Sequence, residues 1–102
     1  MKAINFNELQ DWQTADRDFQ LIDVREAEEH AAFNIGGTLI PLGHLLRRIE
    51  EVDRHRPVVF YCKRGIRSQI AIQRLEQKLG PQDFYNLSEG IYHLWIHRPH
   101  QT

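Results

Sequence analysis

The stretch Pro57-Val58-Val59-Phe60-Tyr61-Cys62-Lys63-Arg64-Gly65-Ile66-Arg67-Ser68 runs from an apolar, β-branched and aromatic segment straight into a basic one that contains a glycine. The first half has the composition of a buried strand. Beyond it Ala71, Ile72, Leu75 and Leu79 recur at helical spacing, and Gly80-Pro81 closes that pattern in the order expected of a helix C-terminus. A strand, a tight turn and a helix are therefore predicted in succession. Cys62, the only cysteine of the chain, stands at the turn.

The same alternation extends outward on both sides. Lys2-Ala3-Ile4 reads as a short strand, and Asn5 reads as the N-cap of a first helix reaching about Ala15, with Glu8 completing a capping box and Ile4 and Leu9 a hydrophobic staple. Phe19 to Val24 is a second strand and Arg25 to Ala32 a short helix. Gly36-Gly37 interrupts the chain before a brief third strand at Thr38-Leu39-Ile40, closed by Pro41. Leu42, Leu45, Leu46, Ile49 and Val52 then predict one more helix. A fifth strand is expected from Asp83 to Leu87, a last helix from Gly90 to Trp95, and a patternless polar tail from His97 to Thr102. Strands alternating with helices at such short spacings predict an α/β fold, a five-stranded parallel sheet with helices on both faces. In such sheets the crevice lies at the carboxyl ends of the strands, where both Cys62 and Asp23-Val24-Arg25 are placed.

At 102 residues the chain has room for a single domain, expected over residues 1–102. Its formal net charge of −1 supplies no basic field for nucleic acid. A lone cysteine makes no internal disulfide, no targeting segment is evident, and no apolar run approaches a membrane span. A cytoplasmic protein without membrane or nucleic-acid partners is the expectation. Six histidines invite a metal reading, but His93 and His97 at helical spacing are only two ligands where a structural zinc site wants four, so no metal is expected. Trp12, Phe19, Phe33, Phe60 and Trp95 read as core or near-core aromatics rather than binding platforms.

Cys62 admits two readings. It is either an inert thiol ending a core strand or a nucleophile held at a helix start. Core cysteines do not ordinarily sit among three cations, and Lys63, Arg64 and Arg67 all lie within five residues of the sulfur. Those cations and the positive end of the following helix stabilise a thiolate and would hold an anionic substrate as well. Gly65 in mid-loop allows a positive φ and a close backbone approach, so that successive N–H groups between Lys63 and Arg67 form a nest for an anion.

Several separated motifs together carry a resemblance. Leu21-Ile22-Asp23-Val24-Arg25-Glu26, then Asn34-Ile35-Gly36-Gly37 with Ile40-Pro41, then Val58 to Ser68, and finally Asn86-Leu87 and Trp95 resemble the rhodanese family of sulfurtransferases, in the family's order and spacing. The resemblance implies a rhodanese-like five-stranded fold with Cys62 as nucleophile. It implies that Cys62 takes the outer sulfur of a donor such as thiosulfate, carries it as a persulfide, and passes it to a thiol or to cyanide. Lys63, Arg64, Gly65, Ile66 and Arg67 would bind the substrate, and Asp23, Arg25 and Ser68 would support the loop. For Asp23 and Arg25 a plain surface ion pair is the alternative. Glu29 is either a counter-ion for Arg67 or part of a solvated helix face. No cofactor is implied, and the acceptor must come from outside because no second cysteine is present.

Loop length and charge narrow the implied chemistry. Rhodaneses that move sulfur have six positions from cysteine to the last loop residue, as in Cys62 to Arg67, whereas related phosphatases have one more. A small phosphatase or arsenate reductase is therefore the weaker alternative. Mercaptopyruvate enzymes of the family carry an uncharged loop, so Lys63 and Arg64 imply thiosulfate. The run Leu39-Ile40-Pro41-Leu42-Gly43 with Asn34 to Gly37 is similar to rhodanese domains joined to adenylylating enzymes, which implies a second role, a persulfide relay to a sulfur-carrier protein.

Overall fold

A computed structural model describes residues 1–99 of the chain; His100 to Thr102, the end of the expected polar tail, lie outside the described residues. The elements in order are β1 (Lys2–Ile4), α1 (Phe6–Thr14), β2 (Gln20–Asp23), α2 (Ala27–Ala32), β3 (Thr38–Leu39), two 3₁₀ segments (Leu42–His44 and Leu46–Glu51), β4 (Val58–Tyr61), α3 (Ile66–Leu79), β5 (Phe84–Leu87) and α4 (Tyr92–Ile96). The capping box at Asn5 is formed: its side chain accepts from the Glu8 N–H at 2.8 Å, and Glu8 reaches back to the Asn5 N–H at 3.1 Å.

One predicted helix is not formed as such. Between Leu42 and Val52 the backbone takes two 3₁₀ pieces, and Arg48 departs from helical geometry with φ −114° and ψ 26°. Spacings of three serve a 3₁₀ helix as well as an α-helix, because its side chains at i and i+3 eclipse. Leu42 and Leu45 form one such pair, and Leu46, Ile49 and Val52 a second series. Gly43 weakens any continuous α-helix here, and the break leaves Leu46 exposed while Leu45 and Val52 enter the core.

The five strands form one sheet in the order β1-β5-β4-β2-β3, and every pairing is parallel. β4 is central, with all four residues buried. Val58 and Phe60 point to one face, where they meet Ala71, Ile72 and Leu75 of α3 and Leu45 and Val52 from the 3₁₀ region. Val59 and Tyr61 point to the other, against Leu9 of α1 and Ile91. Burying each such side chain contributes about 1.5–3 kcal/mol. A continuous apolar run is what a strand covered on both faces requires.

Candidate active site

Cys62 directly follows β4, so the strand fixes where its sulfur lies. Sγ accepts hydrogen bonds from the backbone N–H groups of Gly65 at 3.1 Å and Ser68 at 3.4 Å, and stands 3.3 Å from Ser68 Oγ. The loop has curled around its own first side chain. The curl depends on Gly65, whose φ of +87° lies in the left-handed region and whose absent Cβ would otherwise collide with the Ser88 carbonyl. On the other side Gly90 lies against the Lys63 carbonyl in the same manner. That close approach lets the Ile91 N–H reach the carbonyls of Cys62 (3.1 Å) and Lys63 (3.0 Å), and the Tyr92 N–H reach Lys63 (3.0 Å). The first turn of α3 leaves the N–H groups of Ile66 and Arg67 without partners in their own helix.

Ser68 and Asn86 hold the loop from beneath. Both are buried. Asn86 Nδ2 donates to the Gly65 carbonyl at 3.1 Å, which orients its amide so that Oδ1 faces Ser68 Oγ at 2.5 Å. Asn86 comes from β5, and its part in the loop depends on the β4–β5 pairing that sets it beside Phe60. The signal for it was a lone amide within Phe84-Tyr85-Asn86-Leu87, since a polar group facing a core must find partners.

The cations of the loop divide into two kinds. Arg67 gives both terminal nitrogens to Glu29 at 2.7 and 2.9 Å, tying α3 to α2. This bidentate bond, more than any longer-range charge, holds the Glu29 carboxyl down at about 2 and raises Arg67. The Arg67 charge is thus answered within the fold. Lys63 and Arg64 are exposed, have no carboxylate partner among the described residues, and lie over the Tyr92 ring at 4.8 and 4.4 Å. They rim a depression of about 270 Å³ lined by Cys62, Lys63, Arg64, Ile66 and Arg67. Cys62 itself is only 1% exposed at its floor, whereas Ile66 is 65% exposed at its lip.

Asp23 and Arg25 make a buried pair rather than a surface one. Asp23 is 0% and Arg25 4% exposed, with Nε–Oδ1 at 2.9 Å and Nη2–Oδ2 at 2.8 Å. Burial works against the Arg25 charge, and its bonds to Asp23 more than offset this, leaving its pKa raised. Arg25 Nη2 also donates to the Phe33 carbonyl at 2.6 Å, and His30 Nδ1 lies 2.8 Å from Asp23 Oδ2. Among the described residues none of these bonds ends on residues 62–68. The pair borders the Cys62 loop through Tyr61, which faces Asp23 in the sheet and whose carbonyl accepts from the Val24 N–H at 3.0 Å. The Tyr61 hydroxyl donates to the Gly36 carbonyl at 2.8 Å, and burial followed by the Asp23 charge pushes its pKa well up.

Phe33 and Trp95 sit at the edge of the core, with Phe33 packed against its buried cluster. They are half-buried, nearly parallel with centroids 6.4 Å apart, and they line a cavity beside the loop. A larger concavity, about 520 Å³, lies at the other end of the strands near Gln20 and Glu50 to Arg56. It has no nucleophile, and Asp53 and Glu51 there are paired with Arg56 and Arg48. His93 lines a separate depression with Asn5, Asn7 and Glu89. Among the described residues no group of three or more His, Cys, Asp or Glu side chains could hold a metal, and no helix is long and apolar enough to cross a membrane.

A sulfur at the carboxyl end of a central parallel strand, enclosed by its own loop, is the arrangement to set beside known proteins. The model of the rhodanese-like domain family matches residues 5–96. The chain belongs to that family. Over 76 residues this rhodanese-like chain is 42% identical to the uncharacterized protein YqhL of Bacillus subtilis, covering 74% of the chain and 60% of that relative's length. It is 30% identical over 93 residues to the thiosulfate sulfurtransferase GlpE of Coxiella burnetii, covering 89% of the chain and 86% of the relative. Among solved structures, a rhodanese-like domain protein from Staphylococcus aureus superposes with a TM-score of 0.81 at 27% identity, covering 93% of this chain and 91% of that one.

Proposed function

We propose that this rhodanese-like chain is a thiosulfate-type sulfurtransferase in which Cys62 is nucleophile and sulfur carrier. The observation that carries the reading is the enclosure of Cys62 Sγ by the N–H groups of Gly65 and Ser68, at the head of a loop rimmed by Lys63 and Arg64. In the first half-reaction the Cys62 thiolate attacks the outer sulfur of thiosulfate. The bond between the two thiosulfate sulfurs breaks, sulfite leaves with the electron pair, and Cys62 becomes a persulfide. The negative terminal sulfur then needs donors, which the unpaired N–H groups of the first turn of α3 supply as an oxyanion hole would. In the second half an external thiolate or cyanide removes that sulfur and restores the Cys62 thiolate.

Lys63 and Arg64 raise the local concentration of a doubly charged donor and favour thiosulfate over mercaptopyruvate. Arg67 serves as a strut, its fork already filled by Glu29. That engagement also weighs against a phosphatase, where a loop guanidinium must face the anion. Asp23 and Arg25 act at one remove, fixing Tyr61 and the 33–36 segment beside the loop.

A thiosulfate:cyanide assay tests this. Cys62→Ser abolishes turnover on this account, and a Cys62→Ser protein that still transferred sulfur would overturn it. Mercaptopyruvate outperforming thiosulfate in kcat/KM would overturn the donor assignment alone. Exposed Ile66 between Arg64 and Arg67 favours a second reading, relay to a sulfur-carrier protein, since an inorganic ion needs no apolar lip. Transfer to a carrier protein that greatly outpaced every small thiol would establish it.

A further inference from the structure

Lys63 lines two concavities. One is the depression over Cys62, and the other is a cavity of about 130 Å³ walled by Phe33, Ile91, Tyr92 and Trp95. The two are built as one unit. Ile91 and Tyr92 are bonded through their N–H groups to the Lys63 carbonyl, and Glu29, which also lines the cavity, holds Arg67 of the sulfur loop. Phe33 is fixed by its carbonyl to Arg25, and the Trp95 ring stands edge-on to Tyr92 at 85°.

The charges around this cavity leave one unanswered. Arg25 is neutralised by Asp23 and Glu29 by Arg67, so Lys63 contributes the remaining positive charge among the described residues. Largely carbon walls with the Lys63 ammonium over the Tyr92 ring fit a flat apolar body bearing an anionic group. An apolar cavity of about 150 Å³ accepts a benzene-sized molecule, so the volume matches a single ring. Thiosulfate has no apolar part and gains nothing from such walls. The other substrate of the reaction is the one with an organic body.

Building on the sulfur-transfer reading, we propose that the cavity between α2 and α4 is the acceptor subsite, and that it takes an aromatic thiol carrying a carboxylate. The acceptor thiolate attacks the terminal sulfur of the Cys62 persulfide. A new sulfur–sulfur bond forms on the acceptor, the bond to Sγ breaks, and the electron pair returns to Sγ as thiolate. One sulfane sulfur moves, and no external oxidant or reductant is needed.

The test uses the full chain with thiosulfate as donor and either 4-mercaptobenzoate or cyanide as acceptor. The readout is the ratio of kcat/KM for the two acceptors, because damage to the fold or to the Cys62 loop lowers both. Trp95→Ala is expected to lower the ratio at least fivefold, through a raised KM for 4-mercaptobenzoate. Phe33→Leu removes the ring with little change of volume and should lower it in the same direction if Trp95→Ala fails to fold. Lys63→Met should weaken 4-mercaptobenzoate more than its uncharged amide. A ratio within twofold of the unaltered protein in Trp95→Ala and Phe33→Leu would overturn the subsite while leaving sulfur transfer intact. Absence of cyanide turnover by the unaltered protein would overturn the sulfur-transfer reading itself, and the subsite with it.

Discussion

Ser68 Oγ donates its single proton to Asn86 Oδ1 at 2.5 Å, so lone pairs rather than a hydrogen face Cys62 Sγ at 3.3 Å. The Asn86 amide cannot be turned about, because Nδ2 must donate to the Gly65 carbonyl. A neutral Cys62 thiol can give its hydrogen to Ser68. A thiolate cannot, and leans on the N–H groups of Gly65 and Ser68. The hydroxyl therefore positions the loop, while the backbone holds the charge.

From this follows a graded response. Ser68→Ala leaves both N–H donors in place and strands Asn86 Oδ1, so stability falls by about 1–3 kcal/mol while persulfide formation slows only several-fold. Asn86→Leu takes from the Gly65 carbonyl its shorter donor, leaving only the Gln69 N–H at 3.4 Å, and takes the acceptor from Ser68 Oγ, so its effect on the rate of persulfide formation should exceed that of Ser68→Ala. Urea denaturation with stopped-flow loading from thiosulfate measures both quantities. A larger rate loss in Ser68→Ala than in Asn86→Leu would mean that the hydroxyl acts directly on the sulfur.

Gly65→Ala combines a positive φ with a Cβ driven against the Ser88 backbone. Backbone strain of this kind costs about 1–3 kcal/mol, and relief requires the loop to open. Turnover is expected to drop more than a hundredfold while circular dichroism stays that of a folded α/β protein. Near-normal turnover in Gly65→Ala would show that the curled loop is dispensable.

The Glu29–Arg67 bond has a defined pH window. Because the folded Glu29 carboxyl lies at about 2, below its ordinary 4.5, the stability it contributes is complete above about pH 4.5 and is lost as pH falls toward 2. Both side chains are about a third exposed, so screening limits the effect of Glu29→Gln to about 1–2 kcal/mol at neutral pH. The deficit should narrow markedly by pH 2.5 in urea midpoints, since closure needs a pH below the folded value of about 2. An equal deficit at both pH values would assign the loss to packing instead.

Arg64 is exposed and answers to no carboxylate among the described residues, so under the proposed function it would act by long-range attraction. Arg64→Gln should raise the KM for thiosulfate about threefold at low salt, and the difference should shrink as ionic strength shortens the Debye length to about 3 Å at 1 M. A KM difference independent of salt would point to direct contact with the donor.

The legible parts of this protein were the contiguous ones. The strand, loop and helix around Cys62 follow one another within twelve residues, Pro57 to Ser68, and composition alone set their order. The capping box at Asn5 was equally local. Leu42 to Val52 misled because their threefold spacings suit two kinds of helix, and the choice fell to where Leu45 and Val52 had to be buried. Asn86 acquires its role only when β5 pairs with β4, so that role was not visible along the chain; for Glu29 the chain offered both a pairing with Arg67 and a solvated face, and the choice waits on α2 coming beside α3. Phe33 and Trp95 read as core or near-core, and Phe33 does pack against the core's edge, but their place beside a cavity was not legible. With α2 and α4 only six and five residues long, their rings are left lining a cavity.

Intact-mass analysis of the reduced protein after incubation with thiosulfate, under non-reducing conditions, tests the central claim most directly. A single gain of about 32 Da is predicted, located on Cys62, absent from Cys62→Ser and reversed by cyanide. No gain in mass, or a gain that persists in Cys62→Ser, would contradict it.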